Sequence, residues 1–301
     1  MYRQVKVSAI SIKPKKWDKE HNYNLVESYF RLAASENPDL ILTTEGVLEG
    51  YGIMEVLEGR QSPDKLFDIA EPIDGPYINR FRELAIELKT CLCFGFAEII
   101  SNNLYNTAVF IDKDGLIRGK YHKTQFAEGT IPTCNFNRVG NALRAFDTPI
   151  GRMGFIICND RWNPMITRAL VLDGAQVILI PSWGSKSKEQ NRTVLARARE
   201  NGVPIVEANV GMNLIISKGE IVAYDWGNNK VTTGIIDVPA PVSVYNARKY
   251  EREYLKLQHP EMEKRFQRTM KRIKENSIFN KNENCPCGNG KTFANCHYQS
   301  R

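Results

Sequence analysis

"RMGFIICNDRWNPMITRALVLDGAQVILIPS", residues 152–182, carries a strand, a turn, a helix and a second strand in one short stretch. The apolar run through Ile156 and Ile157 reads as a buried strand that delivers Cys158 to its last position, and Asn159, Asp160 and Arg161 then turn the chain polar at once. "PMITRALVLDGA" follows as a helix and "QVILIPS" (176–182) as another buried strand. Strand–helix alternation of this kind belongs to an α/β layered fold. The thiol at the strand end has two readings. Buried cysteines ordinarily fill space as small hydrophobes, but the carboxyl end of a strand is also where α/β folds place ligands and chemistry.

The same alternation extends outward in both directions. "VKVSAISI" (5–12) alternates like a strand, "NLVESYFRLAASENP" (24–38) has helical spacing of Leu25, Tyr29 and Leu32, and "DLILTTE" (39–45) is a buried strand ending in Glu45. "PYINRFRELAIELKT" (76–90) is helical and leads to the strands "CLCFGFAEI" and "YNTAVFID", with an Asp-Lys-Asp-Gly turn at 112–115. A helix over 188–202 precedes the strands "VPIVEANV", "NLIISKGEIVAY" and "VTTGIIDV". Hairpins mixed with strand–helix alternation imply mixed sheets covered by helices. After about Pro241 the strand signal stops, and Phe266, Met270 and Ile273 mark an amphipathic helix in a stretch rich in Lys, Arg and Glu. Three regions result: a main domain over 1–243, a basic helical linker over 244–280, and a tail over 281–301.

Composition narrows the class. The chain of 301 residues is 42% hydrophobic and 25% charged, ordinary for a globular protein. No apolar run approaches the ~20 residues of a membrane span, and the opening has neither the apolar core nor the small-residue cleavage site of a secretory signal. A cytoplasmic location and no membrane partner are the expectations. The seven cysteines are an odd number, and Cys285, Cys287 and Cys296 crowd the end of the chain. That is no disulfide framework; in a reducing compartment such thiols serve as ligands or nucleophiles.

Three segments end a strand on a reactive side chain: "LILTTEGVLEGYG" with Glu45, "RGKYHKTQFAEG" with Lys123 and Glu128, and "GFIICNDRW" with Cys158. Singly, each is ordinarily a solvated charge or a packed thiol. Together and in this order, they resemble the nitrilase superfamily of carbon–nitrogen hydrolases, and so do the later segments "ARARENGVPIVEANVGMN" and "IISKGEIVA". The resemblance spans roughly residues 4–240 and implies an αββα four-layer sandwich with a Glu-Lys-Cys triad. It implies Glu45 as general base and Cys158 as nucleophile, with the Lys123 ammonium and the Asn159 N–H as oxyanion donors. It also offers Glu128 as the second active-site glutamate. Glu49 reads as a solvated charge. His122 invites a Cys-His pairing, but it directly precedes Lys123, and alternation points the two side chains apart. Thr44 stands where the family commonly has proline and Met165 where it frequently has glutamate, so the subfamily is blurred while every reacting group is kept. "CNDRW" resembles the cysteine segment of N-carbamoyl-amino-acid hydrolases, which favours an amide or ureido substrate over a nitrile.

The tail reads "CPCGNGKTFANCH", with three cysteines and a histidine in close spacing. Thiolate and imidazole ligands in that number suit a closed tetrahedral zinc site. The stretch resembles the SEC-C motif, which implies Cys285, Cys287, Cys296 and His297 as ligands of one structural Zn2+ in a small zinc knuckle, with no metal used in catalysis. Upstream, "KRFQRTMKRIK" (264–274) holds Lys264, Arg265, Arg268, Lys271, Arg272 and Lys274 without an acid. It reads either as a solvated helix face beside a core-docking stripe or as a contact for an anionic partner. The motif resemblance raises a protein partner above nucleic acid, and "ENSIFNKNEN" suits an exposed tether. The expected activity is hydrolysis of a non-peptide C–N bond, an amide or N-carbamoyl group, through a thioester. The alternatives are a true nitrilase with the same triad, or a non-catalytic scaffold whose zinc tail binds a partner. A homodimer or larger homo-oligomer is the expected assembly.

Overall fold

The computed structural model describes residues 2–131, 135–184, 187–242, 244–275, 281–282 and 291–296. Twelve strands form two six-stranded sheets. The first sheet contains β1 (Arg3–Ser11), β2 (Leu40–Leu42), β3 (Cys91–Ile100), β4 (Asn103–Ile111), β5 (Ile117–His122) and β12 (Lys230–Val238), in the order β12-β1-β2-β3-β4-β5. The second contains β6 (Phe146–Thr148), β7 (Gly151–Phe155), β8 (Val177–Ser182), β9 (Ile205–Asn209), β10 (Met212–Ser217) and β11 (Glu220–Trp226), in the order β11-β10-β9-β8-β7-β6. In both sheets the central strands run parallel and the flanks close with antiparallel pairs.

Period-two alternation sorts each strand between two hydrophobic layers. Val5, Val7 and Ala9 of β1, with Cys91 and Cys93 of β3, face the second sheet and share one core with Met153, Phe155, Leu179 and Ile215. Leu92, Phe94 and Phe96 face the other way and pack beneath α1 (Lys19–Ala34) and α4 (Pro76–Leu88) through Val26, Phe30, Ile78 and Phe81. The second sheet is covered by α5 (Pro164–Leu172) and α6 (Lys188–Asn201), whose Ile166, Leu170, Val194 and Ala198 are buried with its strands. The result is helix, sheet, sheet, helix. Cys91 and Cys93 are packing thiols in this arrangement, buried in the inter-sheet core.

The stretch read as a tether, 275–284, lies for the most part outside the described residues, while the region read as a basic helical linker is helical and packs on the main body. Its main element, α7 (Ala247–Glu275), is a single long helix that continues through Pro260. Tyr254 donates its hydroxyl to Thr124 Oγ1 (3.0 Å), and the Gln258 amide donates to the carbonyls of Thr124 (3.1 Å) and Gly140 (2.6 Å). The Thr130 N–H donates to the Met262 carbonyl at 3.1 Å. Gly129, at φ +75°, lets the two backbones approach: a Cβ there would lie 2.3 Å from both the Met262 oxygen and the Phe266 nitrogen. Phe266, Met270 and Ile273 then bury against Val56, Leu57 and Leu66, which come from α2 (Ile53–Leu57) and α3 (Pro63–Ile69). In the basic stretch Phe266, Met270 and Ile273 form the docked stripe, and Lys264, Arg268, Lys271 and Arg272 are exposed beside it. Of the four residues expected to bind zinc, Cys285, Cys287 and His297 lie outside the described residues. Cys296, in the short α8 (Phe293–Cys296), rests against the same cluster as Phe266, so this end of the tail touches the main body instead of hanging from it.

Because α7 shares a core with the body, its burial belongs to the stability of the whole unit. Phe266→Ala should lower the unfolding free energy of the entire chain by about 3 kcal/mol, shifting a single urea transition. A transition that keeps its midpoint would mean that α7 docks without stabilising the body.

Candidate active site

Strands from both sheets end at one place. Glu45 lies just beyond β2, on a segment that continues the sheet pairing: Thr43 N–H donates to Cys93 O (2.9 Å), Gly95 N–H to Thr44 O (3.0 Å) and Val47 N–H to Gly95 O (2.8 Å). Gly95 is needed there, since a Cβ would come within 2.9 Å of the Glu45 Cα. Lys123 directly follows β5 and Cys158 follows β7, so the first sheet supplies an acid and an ammonium and the second supplies a thiol.

Glu45 and Lys123 are both fully buried. Lys123 Nζ donates to Glu45 Oε1 at 2.6 Å, and Asn106 Nδ2 from β4 donates to the same oxygen at 2.6 Å. The other oxygen, Oε2, accepts the Trp183 N–H at 2.9 Å. The carbonyl of Trp183 in turn accepts the Cys158 thiol at 3.4 Å. One residue just past β8 thus ties the thiol to the carboxylate through its main chain. Burial works against the charge on Lys123, but the acidic groups around it, Glu45 first, outweigh burial and hold it as an ammonium. Burial pushes the Cys158 thiol up, and the Glu45 charge adds to that; Lys123 and Arg161 pull in the opposite direction. The resting sulfur is therefore a protonated thiol that needs a base at the moment of attack.

Cys158 sits at φ 48°, the left-handed region, at the start of a single 3-10 turn over Cys158–Trp162. A non-glycine residue is held there only by its surroundings. The Asp160 carboxylate accepts the N–H of Ile157 (2.8 Å), the N–H of Gln125 (2.8 Å) and the hydroxyl of Tyr121 (2.8 Å), so it joins the thiol turn to the Lys123 loop. Burial raises its pKa to about 6. Arg161 is buried beside it and pairs with Glu207 of β9 while reaching Ser182 Oγ of β8 at 2.5 Å. The Asn159 side chain bonds the Gln125 carbonyl at 3.1 Å.

A cavity of about 320 Å³ opens on this group, with Tyr51, Glu128, Trp162, Trp183, Thr269 and Arg272 in its wall. Tyr51 stacks on Trp183 with ring centroids 5.6 Å apart, and Lys123 Nζ lies 5.7 Å from the Tyr51 ring centre. Glu128 is buried, accepts the Asn137 amide at 3.3 Å, and is raised by burial above the ordinary carboxylate range. Thus Lys123, Cys158, Asn159 and Glu128 come together on one cavity, with Glu45 buried behind them and bonded to Lys123 and Trp183. His122 does not join them: its Nε2 bonds Glu98 at 2.8 Å and its ring stacks on Tyr105. Glu98 is engaged there, also pairing with Lys120. Glu49 is a correction. Rather than being solvated, it is buried and accepts the Ala97 N–H at 3.0 Å. Asn106, Trp183, Tyr51 and Thr269 were not anticipated, and Arg272 was read only as one cation of a basic helix. Trp183 acts through its peptide groups, which no side-chain pattern reveals.

Two facing sheets between helices, with an acid, an ammonium and a thiol gathered where their strands end, define an α/β sandwich enzyme of the nitrilase type. The carbon-nitrogen hydrolase family model matches residues 6–238, and the chain belongs to that family. It is 30% identical over 227 residues to an N-carbamoylputrescine amidase of Solanum lycopersicum, covering 71% of this chain and 72% of that one. It is 29% identical over 201 residues to a citrullinase of Francisella tularensis, covering 62% and 68%. The fold is similar to an amidase from Nesterenkonia sp. (TM-score 0.63, 18% identity, 78% of this chain and 90% of that one). It is also similar to the NitFhit protein of C. elegans (TM-score 0.66, 21% identity, 85% and 63%).

Burial, with the Glu45 charge as a lesser contribution, raises Glu49 to about 7. The native state therefore holds a proton that the unfolded chain releases at lower pH. The stability tied to that proton is complete below the unfolded carboxylate pKa and is lost as pH rises toward about 7. Glu49→Gln should remove this dependence. Between about pH 5 and 7 the wild type should lose about 2 kcal/mol relative to the variant in urea unfolding. Parallel curves for the two proteins would place the titration elsewhere.

Proposed function

We propose that this protein hydrolyses a C–N bond of an amide or N-carbamoyl group in a small molecule, using Cys158 as nucleophile and Glu45 as general acid–base. The observation that carries this reading is the Trp183 peptide, which accepts the Cys158 thiol at 3.4 Å and donates to Glu45 at 2.9 Å while Lys123 holds the other carboxylate oxygen. In the first half-reaction the thiol gives its proton to Glu45 as sulfur bonds to the substrate carbonyl carbon. The oxygen that becomes negative is met by the Lys123 ammonium and by the Asn159 N–H; the first N–H groups of a helical turn have no partner within it. Glu45 returns the proton to the leaving nitrogen, and ammonia or an amine departs as the C–N bond breaks, leaving a thioester. Glu45 then takes a proton from water as its oxygen attacks the thioester, and the sulfur leaves with that proton. Glu128, beside the ammonium and with its pKa raised by burial, positions Lys123 and the substrate. The names of the relatives, amidases of ureido compounds among them, support the substrate class.

Cys158→Ala should abolish ammonia release from amides and ureido acids, and the wild type quenched during turnover should carry an acyl mass on Cys158. Lys123→Ala and Glu45→Gln should each lower kcat by roughly 10²–10³ or more. Changes confined to KM in both would assign them to binding, and release from nitriles alone would make the enzyme a nitrilase.

The tail's three thiols and one imidazole form a donor set that suits zinc, so we also propose one structural Zn2+ per chain on Cys285, Cys287, Cys296 and His297. It takes no part in the reaction above. Metal analysis of purified protein should give one zinc per chain, lost in Cys285→Ser; a metal-free wild type would remove this proposal. A homodimer that can dock a protein partner through the tail completes the reading.

A further inference from the structure

Part of the cavity wall lies outside the region that the family model matches. That match ends at residue 238, whereas Thr269 and Arg272 belong to α7. They are one helical turn apart and so share a face. Thr269 is fastened by its hydroxyl, which donates to the Glu128 carbonyl at 3.0 Å. Met270 and Ile273 beside them are buried in the cluster that anchors the helix. Arg272 is therefore carried to the cavity by a fixed element.

Its charge there is uncompensated. Two acids of this part of α7 are engaged elsewhere, Glu261 with Arg265 and Arg268 and Glu275 with Lys271, and the exposed Glu263 lies on the opposite side of the helix from Arg272. Among the described residues Arg272 has no ion pair or hydrogen bond. The other cations of the cavity wall are already matched, Lys123 by Glu45 and Arg161 by Glu207. Glu128, the remaining acid of the wall, is shifted by burial toward its neutral form. The cavity wall thus carries one guanidinium not matched by a carboxylate among the described residues, a group that binds carboxylates through two parallel N–H donors. Its volume of about 320 Å³ lies at the small end of ligand sites.

We infer that Arg272 is a specificity-determining residue that binds a carboxylate on the substrate, so that the preferred substrates are short ureido or amide acids rather than neutral amides or ureido amines. This rests on the hydrolytic reading of the cavity. The chemistry of such a substrate also constrains its supply: the reaction before this one must leave a free carboxylate on a ureido or amide compound.

Two measurements test it. The first compares ammonia release from N-carbamoylglycine and N-carbamoyl-β-alanine (carboxylate), propylurea and butyramide (neutral) and 4-ureidobutylamine (ammonium). The wild type should favour the acids in kcat/KM. Arg272→Gln should reduce the ratio of acid to neutral substrate at least tenfold, about 1.4 kcal/mol, mainly through KM, and Arg272→Lys should restore part of it. A wild type that favours the ammonium or neutral substrates, or a ratio unmoved by Arg272→Gln, overturns the inference. The second measures N-carbamoylglycine binding by calorimetry in Cys158→Ala, where no turnover occurs. Adding Arg272→Gln should weaken binding at least tenfold, and equal affinity overturns the inference. Absence of ammonia from every substrate, with Arg272-dependent binding intact, would sink the hydrolytic reading and leave the carboxylate site standing.

Discussion

The buried Glu45–Lys123 pair governs how the rest of the molecule must be arranged. Moving two such charges out of water costs several kcal/mol each, and mutual attraction offsets this only when the remaining hydrogen-bonding capacity is also met. Here Asn106 completes one carboxylate oxygen and the Trp183 N–H the other. Lys123 and Asn106 belong to the first sheet and its edge, whereas Trp183 follows a strand of the second. The pair can be satisfied only when both sheets end at the same depth. The reactive constellation and the inter-sheet packing are thus one constraint, and the thiol joins it because the same Trp183 peptide accepts its hydrogen.

A second shared node fixes the thiol turn. Asp160 accepts donors from the Cys158 turn and from the loop after Lys123, and Tyr121 lies between them. Thr124 bonds both Tyr121 (2.9 Å) and Tyr254 of α7 (3.0 Å), so the chain of contacts runs out to the C-terminal helix. Such a network holds a left-handed cysteine that would otherwise relax. It also makes α7 part of the unit that presents the reactive groups, although the family match ends before it.

Much of this was legible in the amino-acid sequence, for identifiable reasons. Glu45 and Cys158 each close an apolar strand run, whereas Lys123 follows the polar run Ile117–His122 and was legible only through the family resemblance of its segment; strand alternation turned His122 away from Lys123, and its ring bonds Glu98. The stripe of Phe266, Met270 and Ile273 was visible as an amphipathic helix, but its partner was not. That partner comes from α2 and α3, helices of five and seven residues, too short for a 3.6-residue period to stand out. Without a visible docking surface, a basic helix reads as a linker. Glu49 was misjudged for a related reason. It lies between Gly46 and Gly50, both at φ +69°, in a loop whose path no periodicity describes, so nothing local signalled its burial against Ala97.

The division of labour between core and helix follows from these contacts. The strands cannot change their ends without unsettling the buried ion pair, so the reacting groups have little freedom to vary. At the cavity itself Thr269 binds through a hydroxyl to a main-chain oxygen, and Arg272 has no hydrogen bond or ion pair among the described residues. A substitution at Arg272 therefore disturbs neither the ion pair nor the thiol turn, and the charge of the cavity rim is set independently of the chemistry beneath it. On the reading proposed above, substrate choice is set on the helix and the reaction where the sheets end.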